Sequence, residues 1–349
     1  MLNQVCNLAC PYCFANEFVG RSEESLRKDK SQITEENFKK AVEFAEKSNE
    51  KRLGLIGGEP LLHPNFESIV DIALKSNIPK IHLFTNGVFL DRYFHLFGSD
   101  KFSILINVNS PEDIGQNQYD KMLDNLDYLI NKMHAKNKVS VGVNIYKEGM
   151  DFRFITDIIK KYKFKRLRVA ITVPNTNDKR EENAIQYFKR MKSTTFNLFR
   201  QLYELDCMPS YDCNGMPICV TTDEEKKWLK TFWKFEKESG FCNITETHRC
   251  SPVIDILPNL DAVRCFGMSQ VLKTSMTKFH SMKQLRGYFA HELDNLMSLI
   301  PGSEECVTCL YKNTDTCCGG CLAFKLEGLT RLKVVVSEEL FNKGVIGNA

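Results

Sequence analysis

The chain has 349 residues, long enough for two or three domains, with 47 basic against 44 acidic side chains and a net charge of +3. So even a balance argues against binding to nucleic acid or a membrane surface through bulk charge, and no stretch approaches the ~20 consecutive apolar residues of a membrane span. Fourteen cysteines, grouped at metal-ligand spacing with no secretory signal before them, point to a reducing cytoplasm rather than a disulfide framework.

Short runs rich in Ile, Val, Leu and Phe predict strands over 2–5, 53–56, 80–84, 102–108, 139–146 and 167–173. Helical patterns separate them. One opens at Thr34-Glu35-Glu36 with Thr34 as N-cap, and others fall near 65–75, 118–135, 152–162 and 184–203. Six strands alternating with helices imply parallel pairing and right-handed crossovers, which places chemistry at the strand C-termini. Pattern alone does not choose between an open sheet and a barrel. Residues 205–241 read as a bridge, with turn signals at Asp212-Cys213-Asn214-Gly215 and Met216-Pro217 and a charged helical stretch, 224–240, expected to be a solvated face. Residues 242–349 are dense in cysteine and poor in periodic elements. They hold too little core to fold alone, so metal ligation is expected to hold them together.

Three cysteines lie in Cys6-Asn7-Leu8-Ala9-Cys10-Pro11-Tyr12-Cys13. Zinc wants four ligands, usually in paired C-x2-4-C units, although a zinc or disulfide knuckle is the competing reading. Three thiolates suit a [4Fe–4S] cluster with one iron left open to a reactant. A second motif, Leu55-Ile56-Gly57-Gly58-Glu59-Pro60, closes the next apolar run. By itself it reads as an ordinary turn; placed after the cysteines it is specific.

Together the two motifs resemble the signature of the radical S-adenosylmethionine (radical SAM) superfamily, over roughly the first 175 residues. The resemblance implies an α/β fold, a partial (β/α)6 TIM-like barrel over 1–204. It implies that Cys6, Cys10 and Cys13 ligate a [4Fe–4S] cluster whose open iron S-adenosylmethionine completes. One electron would then release methionine and a 5′-deoxyadenosyl radical that removes a substrate hydrogen. Gly57, Gly58, Glu59 and Pro60 would meet the methionine ammonium, with the glycines giving close backbone approach; Glu59 read without the motif is a surface carboxylate after a turn. Asn107, Asn109 and Asn144 either bond the ribose or cap strand ends. Tyr12 either lies beside the adenine or packs in the core. Arg166 and Arg168 either face substrate or are structural.

Cys250-x14-Cys265 and Cys306-x2-Cys309-x7-Cys317-Cys318-Gly319-Gly320-Cys321 resemble the SPASM extension of that superfamily. The likeness is imperfect. Leu260 stands where the pattern has glycine, the gap before Cys317 is longer, and no cysteine follows Cys321. Position by position, the resemblance implies one auxiliary cluster on Cys242, Cys250, Cys265 and Cys321. A second would use Cys306, Cys309 and Cys317, its fourth ligand left open among Cys318, Cys213 and Cys219. The alternative is one zinc site on Cys306, Cys309, Cys317 and Cys321. Cys207 reads as a buried apolar thiol, and His63 and His248 are the histidines to follow, with no metal assigned to either. Relatives that activate sulfatases carry an aspartate after the cysteine matching Cys265; Phe266 here argues against aldehyde formation.

The implied function is modification of a ribosomally made peptide by crosslinking, epimerisation or related C–H chemistry. The alternatives are a radical SAM enzyme for a small molecule and a non-catalytic iron–sulfur or zinc scaffold. Implied partners are a flavodoxin- or ferredoxin-type reductant and, with five residues before Cys6, a separate leader-binding protein. Oxygen-sensitive clusters further imply an anaerobic cell.

Overall fold

The computed structural model describes residues 1–13, 32–172, 182–211, 215–232, 250, 253–269, 271–314, 317 and 319–325. Cys213, Cys242, His248 and Cys318 lie outside these residues. The main sheet has six parallel strands: β1 (Arg52–Leu55), β2 (Lys80–Thr85), β3 (Phe102–Asn107), β4 (Val139–Ile145), β5 (Arg166–Ile171) and β6 (Met208–Tyr211). Spatial order follows chain order without reversal. A doubly wound sheet reverses at a switch point to cover both faces. A sheet that advances in one direction with right-handed crossovers keeps its helices on one side and curls towards a barrel. The result is a partial barrel, as expected.

Helices α1 (Glu35–Lys47), α2 (Phe66–Lys75), α3 (Gln116–Asp127), α4 (Arg153–Tyr162) and α5 (Ala184–Glu204) follow the sequence patterns. Thr34 caps α1 by accepting from the Asn37 amide at 3.1 Å. In α4, Ile155, Ile158, Ile159 and Tyr162 recur at helical spacing and are all buried.

Three expectations are corrected. Residues 2–5 do not form a strand of the sheet. They run beside the exit of β1, where Leu2 N bonds Ile56 O at 2.6 Å and Glu59 N bonds Val5 O at 2.7 Å, and add an isolated bridge from Asn3 to Gln32. The sixth strand is instead Met208-Pro209-Ser210-Tyr211, within the supposed bridge; its proline and four-residue length hid it. The charged stretch after it is also not a purely solvated face. Helix α6 (Asp223–Leu229) and the turn after it bury Leu229 and Phe232, and Trp228 packs its ring 5.8 Å from Phe196 of α5.

In the C-terminal region β7 (Asp255–Ile256), β8 (Asp261–Val263) and β9 (Lys273–Ser275) form an antiparallel three-stranded sheet, followed by α7 (Met282–Phe289). Its small core includes Leu260, Ala262, Met276, Leu285 and Phe289, and takes in Phe44 from α1. Arg286 makes a two-pronged pair with Glu50 beyond α1, at 2.7 and 2.9 Å. Leu260 has φ +68°, the left-handed conformation that favours glycine. The leucine at the SPASM glycine position thus accepts a cost of ~1–2 kcal/mol, offset by burial of its side chain in this core. Among the described residues no helix is long and apolar enough to cross a membrane.

His63 is a strut of the barrel. Its Nε2 donates to Ile33 O at 2.9 Å and its Nδ1 accepts from the Asn65 amide at 3.1 Å, just before α2. Burial lowers its pKa below 6.5, so the fold selects the neutral ring. That contribution is complete above the unfolded pKa and is lost as the pH falls through and below it. His63→Leu should therefore cost ~1–2 kcal/mol at pH 8, with the gap to the parent narrowing towards pH 5 in chemical denaturation; a gap that widens on acidification contradicts this role.

Candidate cluster and nucleoside site

The cysteine loop lies over the C-terminal mouth of the barrel, held by the exits of β1 and β2. Gly58 N donates to Asn3 O at 3.0 Å, and Asn3 Nδ2 donates to Glu59 O at 2.8 Å. A Cβ on Gly58 would lie 2.2 Å from the Val5 carbonyl oxygen, and one on Gly57 would lie 2.6 Å from Asn3 Oδ1. The two glycines therefore make room for the segment that leads into Cys6. The sequence reading expects close approach at this pair, and here it is the cluster loop that approaches.

Glu59 is 0% exposed. Its Oε1 accepts from Leu61 N at 3.2 Å and Thr85 Oγ1 at 2.8 Å, and its Oε2 from Asn86 N at 2.8 Å. It is no surface carboxylate; it ties the β1 exit to the β2 exit and caps the short turn opened by Pro60. Burial pushes its carboxyl up to about 7, against three donors that favour the ionised form. Asn86 continues the tie, its Nδ2 donating to Asn7 Oδ1 at 2.9 Å, inside the cysteine loop. Asn3 and Asn7 are site residues that no motif marks, whereas Thr85 and Asn86 are marked by their place where a strand ends. Thr85-Asn86-Gly87 at a strand end was the available signal.

Cys6, Cys10 and Cys13 are half-buried thiols, none of them in a disulfide. Burial and the neighbouring thiols push Cys6 up to about 12 and Cys10 up to about 11, so without metal these groups keep their protons and ligation must release them. The Leu8 amide already donates to Cys6 Sγ at 3.4 Å. Asn7 Nδ2 is a buried donor with no acceptor among the described residues, which an anionic ligand would satisfy. Three thiols in one loop beside an unspent buried donor fit a cluster with one open iron.

The structure brings Tyr12, Asn107, Asn109 and Asn144 together. The Tyr12 hydroxyl donates to Asn109 Oδ1 and accepts from Asn107 Nδ2 at 3.1 Å. Asn144 Nδ2 donates to Asn107 Oδ1 at 3.2 Å, and Arg168 Nη1 donates to Asn144 Oδ1 at 2.6 Å. Gly142 on β4 gives Arg168 its path: a Cβ there would lie 2.9 Å from Arg168 Cδ. A polar chain thus crosses from β5 through β4 and β3 to the cysteine loop. Tyr146 flanks it, with its ring 5.0 Å from that of Tyr12. Arg166 lies exposed at the other end of β5.

The C-terminal cysteines fall into groups. Cys250, Cys265 and Cys321 pack against one small core that includes Met268, Leu293 and Met297. Arg264, 1% exposed, binds Asp294 through Nε at 2.7 Å and the Cys250 carbonyl through Nη2 at 3.1 Å. Burial raises the pKa of the Cys265 thiol, and the Arg264 cation beside it works against that rise. The sequence reading overlooked Arg264, although a charged residue directly before Cys265 was visible. Cys306, Cys309 and Cys317 line a cavity of about 40 Å³. Cys207 is fully buried in the main core. Among the described residues no three His, Cys, Asp or Glu side chains converge on the single point that a lone ion requires.

A partial barrel carries a three-thiol loop at its mouth, and residues 2–151 match the Radical SAM superfamily. That superfamily consists of enzymes that use a [4Fe–4S] cluster and S-adenosylmethionine. Among curated relatives, a GTP 3′,8-cyclase of Staphylococcus epidermidis is 25% identical over 210 residues, 57% of this chain and 60% of that protein. A probable GTP 3′,8-cyclase of Methanococcus maripaludis is 29% identical over 114 residues, 32% of this chain and 36% of that protein. The chain thus spans about a third to three-fifths of the length of these two relatives. The fold is similar to that of native anSMEcpe with bound AdoMet, with a TM-score of 0.61 at 15% identity, covering 98% of this chain and 96% of the other. It is also similar to Streptococcus suis SuiB bound to S-adenosylmethionine, with a TM-score of 0.60 at 15% identity, covering 92% of this chain and 71% of the other.

Proposed function

We propose that the chain is a cytoplasmic radical SAM enzyme that modifies a peptide, with a barrel that runs through β6 to Tyr211 rather than ending at 204, a connecting segment from there to 241 and a SPASM-like auxiliary-cluster domain over 242–349. The observation that carries this reading is the grouping of the C-terminal cysteines beside the barrel, in a fold similar to anSMEcpe along nearly the whole chain. Cys6, Cys10 and Cys13 hold the first cluster, and Cys250, Cys265 and Cys321, with Cys242, hold an auxiliary one. Cys306, Cys309 and Cys317 hold another. When bound, the reduced first cluster supplies one electron to the sulfonium of S-adenosylmethionine, the chemistry that opens an unreactive C–H bond.

The residues around it position and exclude. Asn3, Gly58, Glu59 and Asn86 fix the loop that presents the three thiolates. Asn7 offers its free amide to the anionic ligand. Tyr12, Asn107, Asn109 and Asn144 wall the mouth with amides that can exchange partners for ribose hydroxyls. Arg264 balances the charge of the cluster next to it. A flavodoxin- or ferredoxin-type donor delivers the electron, and a separate leader-binding protein presents the peptide in an anaerobic cell.

A second reading, a small-molecule substrate, is favoured by the name of the curated relatives, GTP 3′,8-cyclase. Anaerobic reconstitution separates the two. The peptide reading expects about twelve irons per chain, 5′-deoxyadenosine formation with dithionite, a mass change in a candidate peptide and no loss of GTP. Conversion of GTP, with candidate peptides untouched, would overturn it.

A further inference from the structure

We propose that Cys219, far upstream of the SPASM-like cysteines, is the fourth ligand of the second auxiliary cluster. The inference rests on the reading of Cys306, Cys309 and Cys317 as ligands of that cluster. Three thiolates leave one iron of a [4Fe–4S] cluster without a protein ligand. In space a fourth is supplied. Cys219 lines the same cavity as Cys306, Cys309 and Cys317. Cys250 and Cys321 also reach this cavity, but they pack with Cys265 around Met268 and Leu293 and so belong to the other group.

The turn that carries Cys219 is built to hold it. Val220 N bonds Pro217 O at 3.1 Å and Thr221 Oγ1 bonds Ile218 O at 2.6 Å, closing one tight turn over Ile218–Val220. Met216, Pro217 and Val220 are buried on either side, while Cys219 itself is exposed at the rim. The Thr222–Glu225 capping box then starts α6. Opposite, the Gly319 amide donates to Cys317 Sγ at 3.3 Å. The Leu8 amide makes the same contact, two residues on, to Cys6. Amide donors of this kind tune cluster-ligating sulfurs. Ligation replaces the Cys219 S–H bond with an S–Fe bond and releases the proton to solvent. With four protein thiolates no iron at this centre is open to substrate, so the centre carries electrons rather than binding the reactant.

The test uses the full chain, reconstituted anaerobically with iron and sulfide. Cys219→Ala should lower the iron content from about twelve to about eleven per chain and give a three-iron signal in the electron paramagnetic resonance spectrum of the oxidised protein. Cys219→Ser should keep the count and shift the spectrum of that centre alone. Because Cys219 is exposed, neither change disturbs the core, and circular dichroism should match the parent. Cys213→Ser and Cys318→Ser should be silent. The assignment is overturned if Cys219→Ala keeps the parental iron count and spectrum, or if the three-iron signal follows Cys213 or Cys318. A Cys306→Ala, Cys309→Ala double variant checks the underlying reading separately. It should lose about four irons; an unchanged count refutes the cluster itself, whatever Cys219 does.

Discussion

Cys10→Ala is expected to reduce 5′-deoxyadenosine formation to the uncatalysed background while leaving the barrel folded. Cys10 belongs to none of the apolar cores, and its thiol donates across a long 3.7 Å to Asn109 Oδ1, while its backbone carbonyl, which the substitution keeps, accepts from Cys13 N at 3.1 Å. Losing so long a contact from a half-buried loop costs at most ~1 kcal/mol. The chemical loss is far larger, because two thiolates do not hold a cluster that three barely hold. The comparison is between nucleoside production, read by chromatography of anaerobic reactions with dithionite, and the melting temperature of the same preparation. Normal turnover by the variant would refute the assignment of Cys6, Cys10 and Cys13.

Gly58→Ala should be the most damaging single methyl group in the barrel. The new Cβ would sit 2.2 Å from the oxygen and 2.5 Å from the carbon of the Val5 carbonyl, both backbone atoms that cannot swing away. Relief requires the 3–6 segment to move off the β1 exit. That breaks Gly58 N to Asn3 O and Glu59 N to Val5 O, and shifts the first cysteine with them. Overpacking of this kind, with one or two backbone bonds lost, costs about 2–4 kcal/mol. The variant should melt earlier and lose about four irons, those of the first cluster. Gly98→Ala is the control, since nothing lies within 4 Å of its added Cβ. A Gly58→Ala protein with parental stability and iron content would show that the loop does not depend on this contact.

Much of the barrel is legible in the chain. Strands such as Ile81–Thr85 and Val139–Ile145 are buried apolar runs with few readings besides a parallel strand. The helices between them carry strong 3.6-residue patterns. The sixth strand was not legible, because Met208-Pro209-Ser210-Tyr211 gains its strand character only by pairing with β5. Residues 2–5 failed in the opposite direction. They look like a strand, but they give their hydrogen bonds to the GGEP turn.

The same division runs through the site. Cys6, Cys10, Cys13 and Gly57–Pro60 stand out by spacing, because their geometry is local and a short motif encodes it. The roles of Glu59, Asn86 and Arg168 are non-local, set by which strand ends meet. Arg264 and Leu260 show the effect on single residues. A buried arginine needs Asp294, thirty positions away, and a left-handed leucine needs a core to reward its burial.

By itself, then, the sequence determined the class of chemistry, because thiolate spacing and a glycine pair within a few residues restrict what can bind. Only the tertiary structure decided which partner each polar group spends its hydrogen bonds on, and which distant cysteine shares a cavity with Cys306, Cys309 and Cys317. The reason is chain geometry. A turn holds neighbours in sequence at fixed distances, whereas residues far apart in sequence meet only where the packing of the whole sheet and its helices brings them.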